Sequence, residues 1–370
     1  SLKIEYIEGG KYQFAMGKHK SPYNNKYLPE ILDEYPQDDS VNKGVPMFCF
    51  PEGLSITDEY SMPEWFNFVL TDEVGERKYG SVLIYKEEMT DDLINSFIPI
   101  YKEEDKTQKE KKKKIYHVPK GLCILSKYPF YKNCLLFLKE LSRLANSSRT
   151  KIPVERAICG FVDSLYLQSY NKKIRFNIGD EKLDFYRIPN YGSDWDTDDE
   201  YIETLLRVLS IENIIIAWQG ILIEKKIFLL CSSKSTLIQV ANSLINLIFP
   251  FKWIHIFIPI LPEKLKVFIE SPVPSLIGIN FNIDLNDIPS DSLIININKH
   301  CIENYYEKIP KLPVKLNILL EKKLQKFKEK YNIQEPVVNS SLKWMNYQDS
   351  VFPPSAVEKY NHTALSELRD

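Results

Sequence analysis

The sequence predicts an α/β protein of two lobes, the larger one built on a doubly wound, mostly parallel sheet. Two apolar runs, residues 227–231 and 253–260, lack strict polar alternation, which is typical of strands covered on both faces. The segment that starts at Ser235 between them has the periodicity of an amphipathic helix. A strand, a helix and a second strand form a right-handed parallel crossover by default. The helix residues expected to pack on the sheet are Leu237, Val240, Leu244 and Ile248.

The division into two lobes rests on length and on one break in composition. A chain of 370 residues exceeds one average domain. Residues 102–114, KEEDKTQKEKKKK, contain no hydrophobic side chain, so burial cannot offset the entropy lost on ordering, and we predict a mobile linker. The sequence therefore predicts a small lobe over residues 1–101, a larger lobe over 115–332 and a polar tail over 333–370.

The other predicted elements follow in chain order. Residues 65–71 and 77–85 are aromatic and β-branched runs, and Gly75 between them can adopt a positive φ, so they predict a hairpin. Apolar periodicity in the larger lobe predicts a helix over residues 130–144 and a strand pair over residues 173–178 and 182–188. It also predicts a second helix over residues 201–209 and a lysine-rich helix over residues 315–331.

Composition argues against several classes of protein. A formal net charge of −2 provides no basic field for nucleic acid. The six cysteines show no C-x-x-C spacing and mostly lie in apolar runs, which is typical of buried thiols in a reducing compartment. The histidines form no ligand pair, so we predict no metal site. No apolar run approaches the roughly 20 residues of a membrane span, and the first residues lack a signal peptide, so we expect a cytoplasmic protein.

One segment has the position of a phosphate-binding loop. Residues 233–236, SKST, follow a predicted strand and begin a helix. The phosphate-binding motif needs glycines where Phe228 and Ser233 stand, so the backbone cannot wrap a phosphate. We predict instead that Ser232, Ser233 or Ser235 caps the helix.

Several longer motifs carry a resemblance to one family. In chain order they are MFCFPEGL (47–54), FNFVLTDEVGERKYG (66–80), KGLCILSKYPFYKNCLLFLKEL (120–141), PVERAICGFV (153–162), LLRVLSIENIIIAWQGILIEKKI (205–227), IFPFKWIHIFIPILP (248–262) and FIESPVPSLIGI (268–279). On these motifs, in this order, the chain is identified as a member of the DENN domain family. The resemblance covers roughly residues 30–310 and does not extend convincingly beyond residue 333, where family members carry a further helical part.

The resemblance implies a fold and an activity. It implies a longin-like upstream (uDENN) lobe, a central DENN lobe, and guanine nucleotide exchange on a Rab-type small GTPase without a cofactor and without bond-making chemistry. An exchange factor would grip the GTPase switch regions between its lobes. Alternatives are a scaffold or effector that binds the GTPase without exchange, or an activator of GTP hydrolysis that inserts Arg149.

Candidate contacts with the GTPase are exposed residues expected to face the groove between the lobes. Strand-end residues of the upstream lobe and loops beyond the carboxyl ends of parallel strands are the usual places for such contacts. The candidates are Glu52, Asp72, Glu73, Arg77, Lys127, Tyr128, Ser232, Ser233, Lys234 and Glu263. For each of these residues, the alternative is an ordinary surface position or a helix cap. The basic residues from Lys109 to Lys114 are either a solvated spacer or a weak contact with acidic trafficking membranes.

Overall fold

The structure is a computed structural model that describes residues 2–3, 26–36, 44–71, 75–89, 116–145, 153–164, 173–178, 181–186, 199–303 and 309–333. The predicted linker, the predicted tail beyond residue 333, Asp72, Glu73 and Arg149 lie outside these residues.

The upstream part of the chain forms a small antiparallel sheet. Two short strands, β1 (Leu2–Lys3) and β2 (Glu30–Ile31), pair with each other, and a one-turn helix, α1 (Val45–Cys49), follows. The predicted hairpin is confirmed as β3 (Glu64–Thr71) and β4 (Arg77–Glu88), which pair from Glu64↔Ile84 to Thr71↔Arg77. Gly75, in the connection, has φ +87°.

A third strand from beyond the predicted linker completes this sheet. Strand β5 (His117–Ser126) pairs with β4 along its whole length, from Tyr79↔Ser126 to Glu88↔His117. A lone hairpin is marginally stable in water, and a third strand adds the surface needed to cover an apolar face. The linker therefore connects two strands of one sheet, and the division of the chain at residues 102–114 stays a prediction.

The next elements surround a separate cluster of aromatic side chains. Helices α2 (Tyr131–Ala145) and α3 (Val154–Ser164) precede the antiparallel pair β6 (Lys173–Ile178) and β7 (Glu181–Tyr186), so the predicted helix and strand pair are confirmed. The rings of Phe137 and Phe161 stack with centroids 3.7 Å apart, and Phe185 packs edge-on against Phe130.

The rest of the described chain builds a five-stranded sheet. Its elements are α4 (Asp199–Val208), α5 (Ile211–Leu222), β8 (Lys226–Leu230), α6 (Lys234–Asn246), β9 (Ile256–Ile258), a 3-10 helix (Glu263–Glu270), β10 (Ser275–Ile279), a 3-10 turn (Leu285–Asp287), β11 (Leu293–Asn296), β12 (Cys301–Ile302) and α7 (Val314–Lys330). The strand order is β12-β11-β8-β10-β9, in which β12 alone is antiparallel to its neighbour. The mostly parallel sheet and the helices predicted over residues 201–209 and 315–331 are confirmed.

The predicted strand–helix–strand unit is present with two corrections. Strand β10 lies between β8 and β9, so the crossover skips one position. The second strand covers only residues 256–258 instead of 253–260. The carbonyl of Trp253, before this strand, accepts from Arg77 of the small sheet, and beyond the strand the amide of Leu261 donates to Gly278 of β10.

The parallel sheet is buried on both faces. Ile227 and Leu229 point toward the helices, where the predicted packing residues of α6 and of the turn after it are at most 4% exposed: Leu237, Val240, Leu244 and Ile248. Phe228 points to the other face and packs with Leu261 and Ile269, so the first 3-10 helix and its flanking loops cover that face. The apolar run of β8 is therefore explained by burial on two sides.

The two sheets share one hydrophobic core. Phe66 and Phe68 of β3 belong to the same buried cluster as Leu237 and Leu244 of α6. The mixed α/β class is confirmed, whereas the separation into two lobes and the longin-like arrangement stay predictions. No described helix is by itself long and apolar enough to cross a bilayer, and α4 with α5 reach that length only as a pair bent by 115°.

Candidate functional site

The predicted contact residues meet along β3, where the small sheet packs against α6 and β9. We call this contact surface the junction. Glu64 at the start of β3 contacts Lys234, which follows the carboxyl end of β8, while Arg77, paired with the last residue of β3, contacts Trp253 just before β9. A strand of eight residues spans roughly 24 Å, so the junction has two separate polar ends.

Lys234 lies at the centre of the carboxyl end of the junction. Its ammonium lies 3.0 Å and 3.3 Å from the two carboxylate oxygens of Glu64, 3.5 Å from Glu52 and 5.3 Å from the centre of the Phe66 ring. The side chain of Lys234 is only 15% exposed, so its ammonium is less screened by solvent than that of a fully exposed lysine. Lys234 therefore holds the small sheet and the loop after α1 to the start of α6.

The serine that precedes Lys234 fixes the start of α6. Ser233 has extended backbone angles, and its hydroxyl accepts from the amide of Thr236 at 3.3 Å. The predicted helix cap is thus confirmed at Ser233. The hydroxyl of Ser235 donates to the carbonyl of Trp65 at 3.0 Å, which adds a second bond between α6 and β3.

Glu263 forms a second charged group at the same end. Its backbone amide donates to the carbonyl of Pro51 at 2.8 Å, and its carboxylate pairs with Lys26 and, at 3.4 Å, with Lys266. Burial raises the pKa of Glu263, but the hydrogen bond and charge of Lys26, with a smaller effect of Lys266, outweigh burial and hold the pKa below its ordinary value. Glu263 is therefore charged at neutral pH.

We expect this ion pair to make stability depend on pH. Because the pKa of Glu263 is lowered on folding, its contribution is present above the unfolded value of about 4.3 and is lost as pH falls through the folded value. Urea unfolding should show Glu263→Gln to be less stable than wild type at pH 7, with a difference that narrows below about pH 4. Glu270→Gln is the matched control, because Glu270 is exposed at the other end of the same 3-10 helix and forms no ion pair with the described residues. An equal difference at both pH values would contradict the assignment.

The opposite end of the junction is held by Arg77. Its guanidinium donates to the carbonyl of Trp253 at 2.6 Å and lies 5.0 Å above the ring of Phe257. The indole of Trp253 in turn donates to the carbonyl of Ile256 at 3.1 Å. These contacts fasten the start of β4 to the edge strand of the parallel sheet.

The remaining predicted residues lie on either side of these contacts. Ser232 is exposed at the carboxyl end, where its amide and hydroxyl approach the side-chain oxygen of Asn298 at 3.3 Å and 3.4 Å. Lys127 is exposed beyond Ser126, the residue that pairs with Tyr79, so it lies at the same end of the sheet as Arg77.

Tyr128 is less accessible than Lys127. It is half-buried, its amide donates to the hydroxyl of Ser126, and its ring packs at 5.7 Å from Phe130. Asp72 and Glu73 lie outside the described residues. The structure therefore brings Glu52, Ser232, Ser233, Lys234 and Glu263 together at one end and places Arg77 and Lys127 at the other.

Several junction residues are not predicted by any local sequence pattern. Glu64 pairs with a lysine 170 positions away, and Asn280 donates to Glu52 from 228 positions away at 2.6 Å. No local pattern pairs residues at such separations. Asn280 follows β10 directly. Its position after the carboxyl end of a parallel strand is the one sequence feature that could have marked it as a candidate contact residue.

The junction has the chemistry of a binding surface. Cys231 ends the apolar run of β8, next to Ser232, and burial raises its pKa to about 11, which leaves the thiol protonated and a poor nucleophile at neutral pH. Among the described residues, no three acidic, histidine or cysteine side chains are grouped to hold a metal ion.

A shallow recess beside Glu52 and Glu263 is lined by Leu28, Met47, Phe50 and Pro262. Charged side chains around an apolar recess suit contact with another protein.

Comparison with known proteins assigns both parts of the chain. A family model described as the uDENN domain matches residues 29–85, and one described as the DENN (AEX-3) domain matches residues 117–300. The chain is 23% identical over 304 residues to the DENN domain and WD repeat-containing protein SCD1 of Arabidopsis thaliana, a match over 78% of this chain and 24% of that protein. It is 25% identical over 358 residues to the DENN domain-containing protein 2B of Mus musculus and of Homo sapiens, a match over 89% of this chain and 28% of each relative. The chain thus spans about a quarter of the length of these relatives.

Proposed function

Because this chain belongs to the DENN domain family, we propose that it acts as a guanine nucleotide exchange factor for a Rab-type small GTPase. Proteins of this family generally catalyse nucleotide exchange, which makes and breaks no covalent bond. Such a factor binds the nucleotide-free GTPase more tightly than the GDP-bound form, and that difference lowers the barrier to GDP release. We further propose that it works in the cytoplasm, at the surface of trafficking membranes.

The observation that carries the proposal is the junction itself. The uDENN and DENN segments occur in one chain and pack through one shared core, which fixes the surfaces on either side of β3 relative to each other. A folded domain of about 150 residues is wide enough to contact both polar ends of the junction at once. A rigid surface of this length could hold two switch segments away from the bound nucleotide.

The contacts within the chain suggest different roles for the candidate residues. Arg77, Lys234 and Glu263 are bonded inside the molecule, so we assign them to positioning the two surfaces. Glu52, Ser232 and Lys127 are exposed, although Glu52 also accepts from Asn280 and Ser232 approaches Asn298, and we assign these three to contact with the GTPase. Asp72 and Glu73, next to Arg77 along the chain, stay candidates for the same contact.

The test is a nucleotide release assay. A panel of Rab GTPases is loaded with fluorescent GDP, and this protein is added with excess GTP. We expect faster release from one or a few members. The variant Lys127→Glu with Ser232→Glu should slow that release at least tenfold, because Lys127→Glu reverses a charge at one end and Ser232→Glu places a larger, charged side chain in the contact at the other. Lys182→Glu is the matched control, since Lys182 is exposed on β7, whose neighbours form the separate aromatic cluster.

Three outcomes distinguish the alternatives. Release that is equally fast with wild type and with the double variant would contradict the assigned contacts while supporting exchange. No acceleration across the panel, also with a longer chain that includes the downstream part, would overturn exchange. Preferred binding to the GTP form would then indicate an effector or scaffold, and preferred binding to a transition-state mimic would indicate an activator of GTP hydrolysis.

A further inference from the structure

Among the described residues, helix α7 packs on the fold along one side. Phe327 is 7% exposed and belongs to the main core, and Leu324, one turn earlier, is partly buried against the same cluster. Just before the helix, the carbonyl of Pro310 accepts from the side chain of Gln219 on α5 at 2.9 Å. These contacts fix the orientation of α7 and leave its opposite side open to solvent.

The open side carries large apolar side chains in the first half of the helix. Val314 is 73% exposed, Ile318 is 44% exposed and Leu319 is 51% exposed. At 3.6 residues per turn, Val314 and Ile318 lie one above the other, with Leu319 beside them. The described part of the fold leaves these three side chains uncovered, and a contiguous group of exposed large apolar side chains marks an interaction surface.

The same side carries lysines that are free to contact a partner. Lys315, Lys322, Lys323 and Lys326 are exposed, and none of them pairs with an acidic side chain among the described residues. The two glutamates of α7 have neutral partners instead: Asn317 donates to Glu321 at 2.6 Å, and Gln325 donates to Glu329 at 3.1 Å. With six lysines and two glutamates in its sequence, α7 is strongly basic within a chain whose net charge is −2.

We propose that α7 docks the protein on an acidic lipid membrane. Lysines that flank exposed aliphatic side chains on one face are typical of helices that lie in the membrane interface, where the aliphatic groups enter the headgroup layer and the lysines contact anionic lipid. The proposal concerns a surface separate from the junction and does not require exchange activity.

Vesicle sedimentation with the full chain tests this proposal. Wild type should sediment with vesicles of phosphatidylcholine that contain about one third phosphatidylserine and should remain in solution with phosphatidylcholine alone. Replacing Lys322, Lys323 and Lys326 by glutamate should lower partitioning at least tenfold. Ile318→Ser with Leu319→Ser should also lower it, because the loss of inserted aliphatic groups leaves only screened charge attraction.

Two controls make the outcome decisive. The substituted side chains of α7 are exposed, so thermal melting of these variants should match wild type. Replacing the lysines between residues 109 and 114 with glutamine separates α7 from the basic linker, and this variant should keep most of the binding. Equal binding by wild type and by the triple glutamate variant would overturn the proposal. A failure of wild type to bind acidic vesicles would also overturn it and would point to an acidic protein as the partner of this face.

Discussion

Truncating Leu244 to alanine is expected to lower the free energy of unfolding by about 2–5 kcal/mol. Leu244 is fully buried in α6, within the cluster that joins the small sheet to the parallel sheet. The substitution removes aliphatic contacts and leaves a cavity that tightly packed neighbours cannot fill. Chemical denaturation followed by circular dichroism measures the loss.

A matched truncation shows whether burial is the cause. Leu319→Ala makes the same chemical change at a position that is 51% exposed on α7, and it should alter stability by no more than about 0.5 kcal/mol. If both variants lost the same stability, the placement of Leu244 in the shared core would be wrong. The loss of stability expected for Leu244→Ala would also weaken the junction, because α6 carries Lys234 and Ser235.

Replacing Gly278 by alanine is expected to lower the free energy of unfolding by about 3 kcal/mol or more. This value is the upper end of the range that is typical when a larger side chain is forced into a packed site. A Cβ atom at this position would lie 1.9 Å from the carbonyl oxygen of Pro259 and 3.3 Å from a methyl group of Leu237. The first neighbour is backbone and cannot rotate away, so β10 and the chain after β9 would have to separate. Separation would also strain the bond between the amide of Leu261 and the carbonyl of Gly278, which measures 2.8 Å.

Gly160 provides the opposite case. A Cβ at Gly160 would meet its nearest neighbour, a ring atom of Phe176, at 4.0 Å, and the residue lies inside helix α3. Gly160→Ala should therefore leave the protein as stable as wild type or raise its stability by up to about 1 kcal/mol. Wild-type stability of Gly278→Ala in the same urea titration would show that Pro259 does not approach β10 as described.

The junction connects these stability effects to the proposed exchange activity. Separation of β9 from β10 would displace both Trp253, which binds Arg77, and Glu263, which binds Lys26. Both polar ends of the junction would then lose their spacing. A destabilised variant that remains folded at low temperature should therefore lose nucleotide release activity more than it loses secondary structure.

Local patterns in the sequence were sufficient for most elements. The hairpin of β3 and β4, the helix α6 with its cap at Ser233, and the apolar strand β8 each follow from the spacing of residues close together in the chain. Helix α5 was not predicted, because its run ENIIIAWQGIL is apolar on nearly all sides and periodicity then marks no face. The family could be identified because its motifs are contiguous stretches in a fixed order.

What the sequence determined by itself is therefore the α/β class, most elements and the family, since each depends on neighbours within one element or on motif order. Only the tertiary structure decided that β5 joins the upstream sheet, that β10 lies between β8 and β9, and that Lys234 meets Glu64. These pairings join residues far apart in the chain, and they are selected by which apolar faces and strand edges remain uncovered once the local elements have formed. The same reason explains why the candidate residues separate into two ends of one junction: the length of β3 in space, which no local pattern records, sets the distance between them.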